Sequence, residues 1–468
     1  MRNAHPRYLC YPSVIPVGVE TAVTVFPRDL SRRFLAEKEY EVTVAGLRDP
    51  EENYYLPLEY NVPCTVEGGC LVFSYVFEGE QEYMIRFKAK GEHSEKVFAY
   101  AVEPDLYALR PLKGDLHSHS WYSDGQDGIP MVAADYREEG FDFFSLTDHN
   151  RMFPSRKLME LYKDVPLGIC MIPGEEVHTP DSSLHIVHVG GKHSVCEQYI
   201  HDRERYEAEV DAIAVTLNHV PEYYRRKTAM AHWACQKIRE ADGLSIFAHP
   251  FWMPRRYNVS RELLDILFDE KIFDALELLN GIGTKYNNQQ VALWQEQRAK
   301  GNNIPIVSSS DSHNHDFETG TFGRRFTFVF AEANTTEAIL DAIRKGYSVA
   351  GELPPNNSSD VRFYGSLRLV LFAHFLFENY FNETWRLCVG EGILMRRYAE
   401  GEDVAKTLGA LAGTVEDFYK RFYGLAPTPR VTPERAAFLD DCLEKQRTLG
   451  PVTKGAAVYM MSNNARRE

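Results

Sequence analysis

The stretch GDLHSHSWYSDG, residues 114–125, decides how the chain is read. It closes a short apolar run, and in an extended strand side chains two positions apart point the same way. His117 and His119 therefore present two imidazoles to one side, a chelating pair, and Asp124 adds a carboxylate from the loop just beyond. The same spacing recurs about 190 residues later, where IPIVSSSDSH ends in Asp311 and His313. Between the two pairs lie four more apolar runs with metal-type ligands at their ends. These are SLTDHN with His149, IPGEEV with Glu175 and Glu176, LHIVHVGG with His185 and His188, and IFAHP with His249.

Outward from these motifs, apolar runs at 141–146, 168–172, 244–248, 275–279, 304–307 and 326–330 alternate with helical stretches. That grammar predicts parallel strands with crossover helices, and a barrel of such strands gathers its strand-end residues on one C-terminal face. One helix is predicted with Asn334 as its cap, Glu337 at the third position, Ile339 and Ile343 on one face and Gly346 at its stop. Residues 197–241 are too many for a simple connection and predict a helical insertion near the barrel mouth. Before residue 111 the pattern is period two: Tyr40, Val42 and Val44 alternate with Glu41 and Thr43, and Ile85, Phe87 and Ala89 with Arg86 and Lys88. With further strands at 71–78 and 96–103, an antiparallel sandwich is expected. Beyond the loop at 351–360, helices are predicted at 367–387, 403–411 and 414–423, and a last one runs from a Thr432 cap and Pro433 to Gly450. The expected architecture is multidomain α/β, with a β-sandwich at 1–111, a barrel at 112–352 and a helical domain at 360–468.

Composition narrows the function. The 468 residues include 52 basic and 67 acidic side chains, a net charge of −15 with no long basic run, which disfavours general nucleic-acid or anionic-membrane binding. The N-terminus lacks an apolar signal region, and the most apolar later stretch, 366–377, is short and holds Arg368 and His374, so no membrane span is expected. Cys10, Cys64, Cys70, Cys170, Cys196, Cys235, Cys388 and Cys442 form no CxxC pair and read as reduced thiols of a cytoplasmic protein. Thirteen of the 16 histidines fall between His117 and His315, about twice an even share, which points to a metal site.

GDLHSHSWYSDG, TDHN, PGEEV, FAHP and SDSH, in this order, resemble the motifs of the polymerase and histidinol phosphatase (PHP) superfamily of metal-dependent phosphoesterases. The resemblance covers about residues 112–352. It implies a distorted seven-stranded, TIM-like (β/α) barrel with two or three divalent ions, manganese, zinc or iron, at its C-terminal mouth. By the same resemblance the metal ligands are His117, His119, Asp124, His149, Glu176, His185, His249, Asp311 and His313. Its motif spacing selects Glu176 over Glu175 as the bridging acid, and His185 over His188 through the distance to Gly190. On a strand those two histidines face opposite sides, so only one can look into a cluster.

Glu176, Asp148 and His249 are assigned to the catalytic step. Asp148 reads either as a hydrogen-bonded strand end or as a carboxylate orienting an imidazole. Glu277 and Asn280 either line the mouth or sit beside the core, and Arg255 and Arg256 either meet a phosphate or stay solvated. His178, His193, His201, His219, His232 and His315 are read as surface or supporting residues. No P-loop, GxSxG or GxGxxG element competes, and no organic cofactor is expected. The expected activity is hydrolysis of a small phosphorylated metabolite or nucleotide by metal-activated water. Two alternatives stand beside it: hydrolysis of another ester or an amide, and a non-catalytic protein binding a partner or glycan through the sandwich, with Tyr54, Tyr55 and Tyr60 as a platform.

Overall fold

The computed structural model describes residues 6–48, 51–53, 56–253, 257–314, 321–354 and 360–449. Tyr54, Tyr55, Arg255, Arg256, His315 and Gly450 lie outside the described residues. The chain divides into two compact units, one of Pro104–Tyr419 and one in which Arg2–Glu103 is joined by the segment from Lys420.

The larger unit is built on a ten-stranded sheet. Its strands are β1 (Arg110–Asp115), β2 (Phe143–Leu146), β3 (Cys170–Val177), β4 (Ile186–Val189), β5 (Leu244–Phe247), β6 (Ala275–Leu279), β7 (Ile306–Ser308), β8 (Arg325–Ala331), β9 (Ser348–Glu352) and β10 (Arg362–Tyr364). They lie in the order β7-β6-β5-β4-β3-β2-β1-β8-β9-β10. Phe143, Ile172, Val187, Ile246, Val307 and Val329 form one buried cluster, closed by Ile339 and Ile343. The sheet curls until β7 meets β8 and β9. There Ser308 N donates to Thr327 Oγ1 at 2.9 Å, Ser308 Oγ to the Gly351 carbonyl at 2.9 Å, and Ser348 Oγ to the Ile306 carbonyl at 2.8 Å.

Not every strand is parallel, which corrects the expected pattern. β4 runs antiparallel to both β3 and β5, and β8 is antiparallel to β1 and β9. Only residues 178–185 join β3 to β4, and a parallel crossover needs roughly a dozen or more. The insertion is helical as expected, with helices at Cys196–His201, Arg203–Thr216 and Glu222–Glu240. The helix Thr336–Arg344 is capped by Thr335, whose side chain accepts from Ala338 N. Asn334 instead donates to the carbonyls of Asp142 and Gly168 and ties two strand ends together.

The expected helical domain at 360–468 is not one body. Helix Leu367–Leu376 continues through a wide turn at Phe377–Phe381 into Asn382–Ala399. The last of these is anchored by Glu391, buried with Arg137 of the helix Ile129–Glu138 at 2.7 Å. An apolar helix face has to be covered, and this one is covered by the sheet-bearing unit. The final segment belongs with the N-terminal strands: Val431 N donates to the Gly68 carbonyl at 3.0 Å, Ser13 N to the Phe422 carbonyl at 2.8 Å, and Arg33 pairs with Asp440.

That smaller unit contains two main sheets and a two-stranded pairing of Glu51–Asn53 with Leu56–Pro57. Tyr8–Tyr11, Glu20–Pro27, Cys70–Val76 and Cys64–Glu67 make one, and Val14–Pro16, Glu95–Val102, Gln81–Ala89, Tyr40–Gly46 and Tyr60–Val62 the other. Val23, Val25 and Phe73 of the first share a core with Val44, Ile85 and Ala99 of the second, which is the alternation read from the sequence. Among the described residues no helix is long and apolar enough to cross a membrane.

Candidate metal centre

The ligand-type side chains converge because strand direction brings them to one end of the sheet. His117 and His119 follow β1, His149 follows β2, Glu176 lies in β3, His249 follows β5, and Asp311 and His313 follow β7. β4 runs the opposite way, so the residue before it, His185, reaches that same end. His188, inside β4, does not: its Nδ1 lies 3.0 Å from Glu175 Oε1 in a fully buried pair.

Glu176 sits at the centre. Six imidazoles surround its buried carboxylate: His117 Nε2 at 3.4 Å, His119 Nε2 at 3.5 Å, His149 Nδ1 at 2.7 Å, His178 Nε2 at 3.4 Å, His185 Nδ1 at 2.9 Å and His249 Nε2 at 3.2 Å. Asp311 is the second acidic hub, 3.0 Å from His119 Nε2 and 3.3 Å from His117 Nε2. Asp124 is the third, 3.2 Å from His149 Nε2 and 3.3 Å from His313 Nε2. All nine residues implied by the family resemblance are thus brought together.

A supporting layer aims the rings. His117 Nδ1 lies 2.9 Å from Glu277 Oε1, which leaves Nε2 turned to the cluster. Glu277 Oε2 accepts from His249 N at 3.0 Å and Asn280 Nδ2 at 2.8 Å. His313 Nδ1 lies 2.9 Å from the Asp311 carbonyl, which likewise leaves Nε2 inward. Asp115, fully buried and pushed by burial to a pKa of about 6, accepts from His117 N, Ser310 N and Tyr136 OH and joins β1 to the strand end of β7. His249 and Asp311 hold φ of +22° and +50°, a region that costs a non-glycine residue about 1 kcal/mol or more. At Gly125 a Cβ would stand 2.6 Å from the His119 carbonyl oxygen, so only glycine lets the Asp124 loop pack this closely.

Asp148 is not among the converging groups, which corrects its catalytic assignment. Its carboxylate is taken up by Ser120 N at 2.8 Å, Ser120 Oγ at 2.7 Å and Ser123 Oγ at 2.6 Å, and it braces the loop after β1. His178, read from sequence as a bystander, stands inside the group, its ring 3.7 Å from that of His185 and 4.5 Å from that of His149. His219 and His232 pair instead with Glu270, and Arg151, unremarked in the sequence, donates to the carbonyls of His149 and Tyr122.

The residues fit divalent cations. His117 Nε2, His149 Nδ1, His178 Nε2, His185 Nδ1 and Glu176 Oε2 are all buried and make no hydrogen bond, a cost that a cation among them would remove. Imidazole with carboxylate suits borderline ions such as zinc, manganese or iron. Five overlapping groups of three or four donors lie within 4.8 Å of one another. Burial lowers the His185 ring to a pKa of about 4 and keeps its lone pair free at neutral pH. Burial also opposes charge on His149, but Asp124 and Glu176 outweigh it and raise that ring to about 10. A cation bound there would displace the His149 proton, so its affinity would rise with pH.

A 99-residue stretch is 32% identical to the DNA polymerase/3′-5′ exonuclease PolX of Bacillus subtilis; it makes up 20% of this chain and 17% of that protein. No protein-family model matches the chain. Among solved structures, a two-domain protein of Bacteroides vulgatus that contains a predicted PHP-like metal-dependent phosphoesterase aligns over 53% of this chain and 66% of its own, at 20% identity and a TM-score of 0.38. An amidohydrolase of Chromobacterium violaceum, solved with sulfate and no metal, aligns over 43% and 87%, at 19% identity and a TM-score of 0.29. The chain spans 17% of the length of PolX and 66% of that of the Bacteroides vulgatus protein.

Proposed function

We propose that the protein is a metal-dependent phosphoesterase that hydrolyses a small phosphorylated metabolite or nucleotide. The observation that carries this reading is the single buried carboxylate of Glu176 facing six imidazole nitrogens, four of which make no hydrogen bond. His117, His119, Asp124, His149, Glu176, His185, His249, Asp311 and His313 would hold two or three divalent ions. When bound, such ions supply Lewis-acid activation of water and neutralise charge on phosphoryl oxygens. Glu176 and Asp311 keep their negative charge at working pH: burial opposes it, but the surrounding histidines hold both carboxyls well below the usual range. Glu277 and Asp115 fix the strand ends so that little reorganisation is left for the reaction. Arg151, pinned by the carbonyls of His149 and Tyr122 beside the cluster, would offer a phosphate its remaining guanidinium nitrogen.

The test is a phosphate-release screen over phosphomonoesters and phosphodiesters, with carboxylic esters and amides in parallel. Release from a phosphate ester should vanish on chelation and return with manganese, zinc or iron. Turnover of a carboxylic ester or amide alone would overturn the phosphate assignment, and activity indifferent to chelation would overturn the metal.

A further inference from the structure

We infer that His178 is a further metal ligand, which with His149 and Glu176 forms an ion position on the flank of the cluster, beyond the nine residues above. The inference rests on the metal reading of this site. Its first support is register: Glu176 and His178 are two apart at the end of β3, the spacing that makes His117 with His119 and Asp311 with His313 face one way.

The second support is placement. His178 Nε2 lies 3.4 Å from Glu176 Oε1, and one donor atom each from His149, Glu176 and His178 falls within 4.8 Å of the others. That nitrogen is buried and makes no hydrogen bond, although about a quarter of the side chain is exposed. A surface histidine would turn its nitrogens to water. This one stacks on the ring of His185 and lies beside that of His149, with a nitrogen turned inward.

The third support is that the backbone holds it there. His178 N donates to Asn150 Oδ1 at 3.0 Å, and Tyr199 OH donates to Asn150 Oδ1 at 2.6 Å and stands 3.1 Å from the His178 carbonyl. Asn150 itself takes φ of +56° and donates its N–H to the Glu176 carbonyl at 2.9 Å. A strained residue and a buried tyrosine thus fix the position of His178 from both sides of its peptide. Supporting shells of this kind are what ligands require. Three protein donors would leave the ion an open position, the arrangement of sites that bind substrate rather than serve only structure.

The experiment loads the full chain with zinc, removes excess ion, counts bound zinc and titrates it with a competing chelator. Wild-type protein should hold at least two ions. His178→Gln should hold one fewer, or release its weakest ion at about tenfold lower chelator. An unchanged count together with an unchanged displacement curve overturns the inference. Wild-type protein that retains no zinc overturns the metal reading itself, and this inference with it. A second measurement needs no variant: carbethoxylation mapped by mass spectrometry should modify His178 in stripped protein and spare it in zinc-loaded protein. Equal modification in both states overturns the inference.

Discussion

His185 and His188 are three residues apart on the same short segment, and the structure gives them opposite jobs, so replacing each by alanine should produce opposite phenotypes. In His188→Ala the partner Glu175 stays buried. Burial favours its neutral form, but in the wild type His188, Ser194 and Val195 hold its carboxyl below the usual range. Removing one partner of a hydrogen bond to a buried carboxylate costs about 1.5–3 kcal/mol. Because Ser194 Oγ at 2.5 Å and Val195 N at 2.6 Å still donate to Glu175, the lower end, about 1.5 kcal/mol, is expected. The loss should appear as a melting temperature several degrees lower, with zinc content and activity per folded molecule retained. His185→Ala removes a nitrogen 2.9 Å from Glu176. Its melting temperature without metal should stay close to wild type, while zinc retention falls by more than the roughly 10–100-fold expected for losing a supporting partner. Thermal melts of metal-free protein and zinc counts on both variants decide the matter. If His188→Ala loses zinc while His185→Ala keeps it, the direction assigned to β4 is wrong.

Glu391→Ala should strand the buried guanidinium of Arg137, with the Phe141 carbonyl at 2.9 Å and Asp142 at 3.6 Å as partial compensation, and lower stability by about 3 kcal/mol. The double change Arg137→Met with Glu391→Leu should recover most of that loss in urea unfolding, and losses that merely add would refute the pairing. Asp105 is held to a pKa of about 2, below the ordinary carboxylate range, chiefly by its hydrogen bond to Arg368. A depressed carboxyl stabilises above its unfolded value and loses that contribution as pH falls from about 4 to about 2, so Asp105→Asn should flatten the acid limb of stability against pH; an unchanged limb would refute it.

The sequence was legible where chemistry repeats at short range. His117 with His119 and Asp311 with His313 declare their common face by spacing alone, and the strands before them are plain from their apolar runs. What could not be read was direction. Nothing within IVHV says that β4 runs backwards; the shortness of the link at 178–185 was the available signal, and applying it would have settled His185 against His188 without a family argument. His178 carries the same two-residue signal beside Glu176. Of the two readings of Asp148 the hydrogen-bonded strand end holds, because a carboxylate next to a histidine in sequence need not face the same side. The helical tail divided unexpectedly because its boundary lies in burial: Glu391 and Val431 look alike in periodicity, yet one is satisfied by Arg137 and the other lies against the Gly68–Gly69 turn.

The discontinuity of the smaller unit has a consequence for how the chain is made. A ribosome emits the strands of Arg2–Glu103 first and the segment from Lys420 last, with the whole of Pro104–Tyr419 in between. The sandwich thus waits, its Gly68–Gly69 turn without Val431 and Ser13 without the Phe422 carbonyl, until synthesis has passed the intervening unit. Completion of that unit therefore follows translation of every metal-type residue, and a chain halted before Lys420 lacks the partners of Gly68 and Ser13.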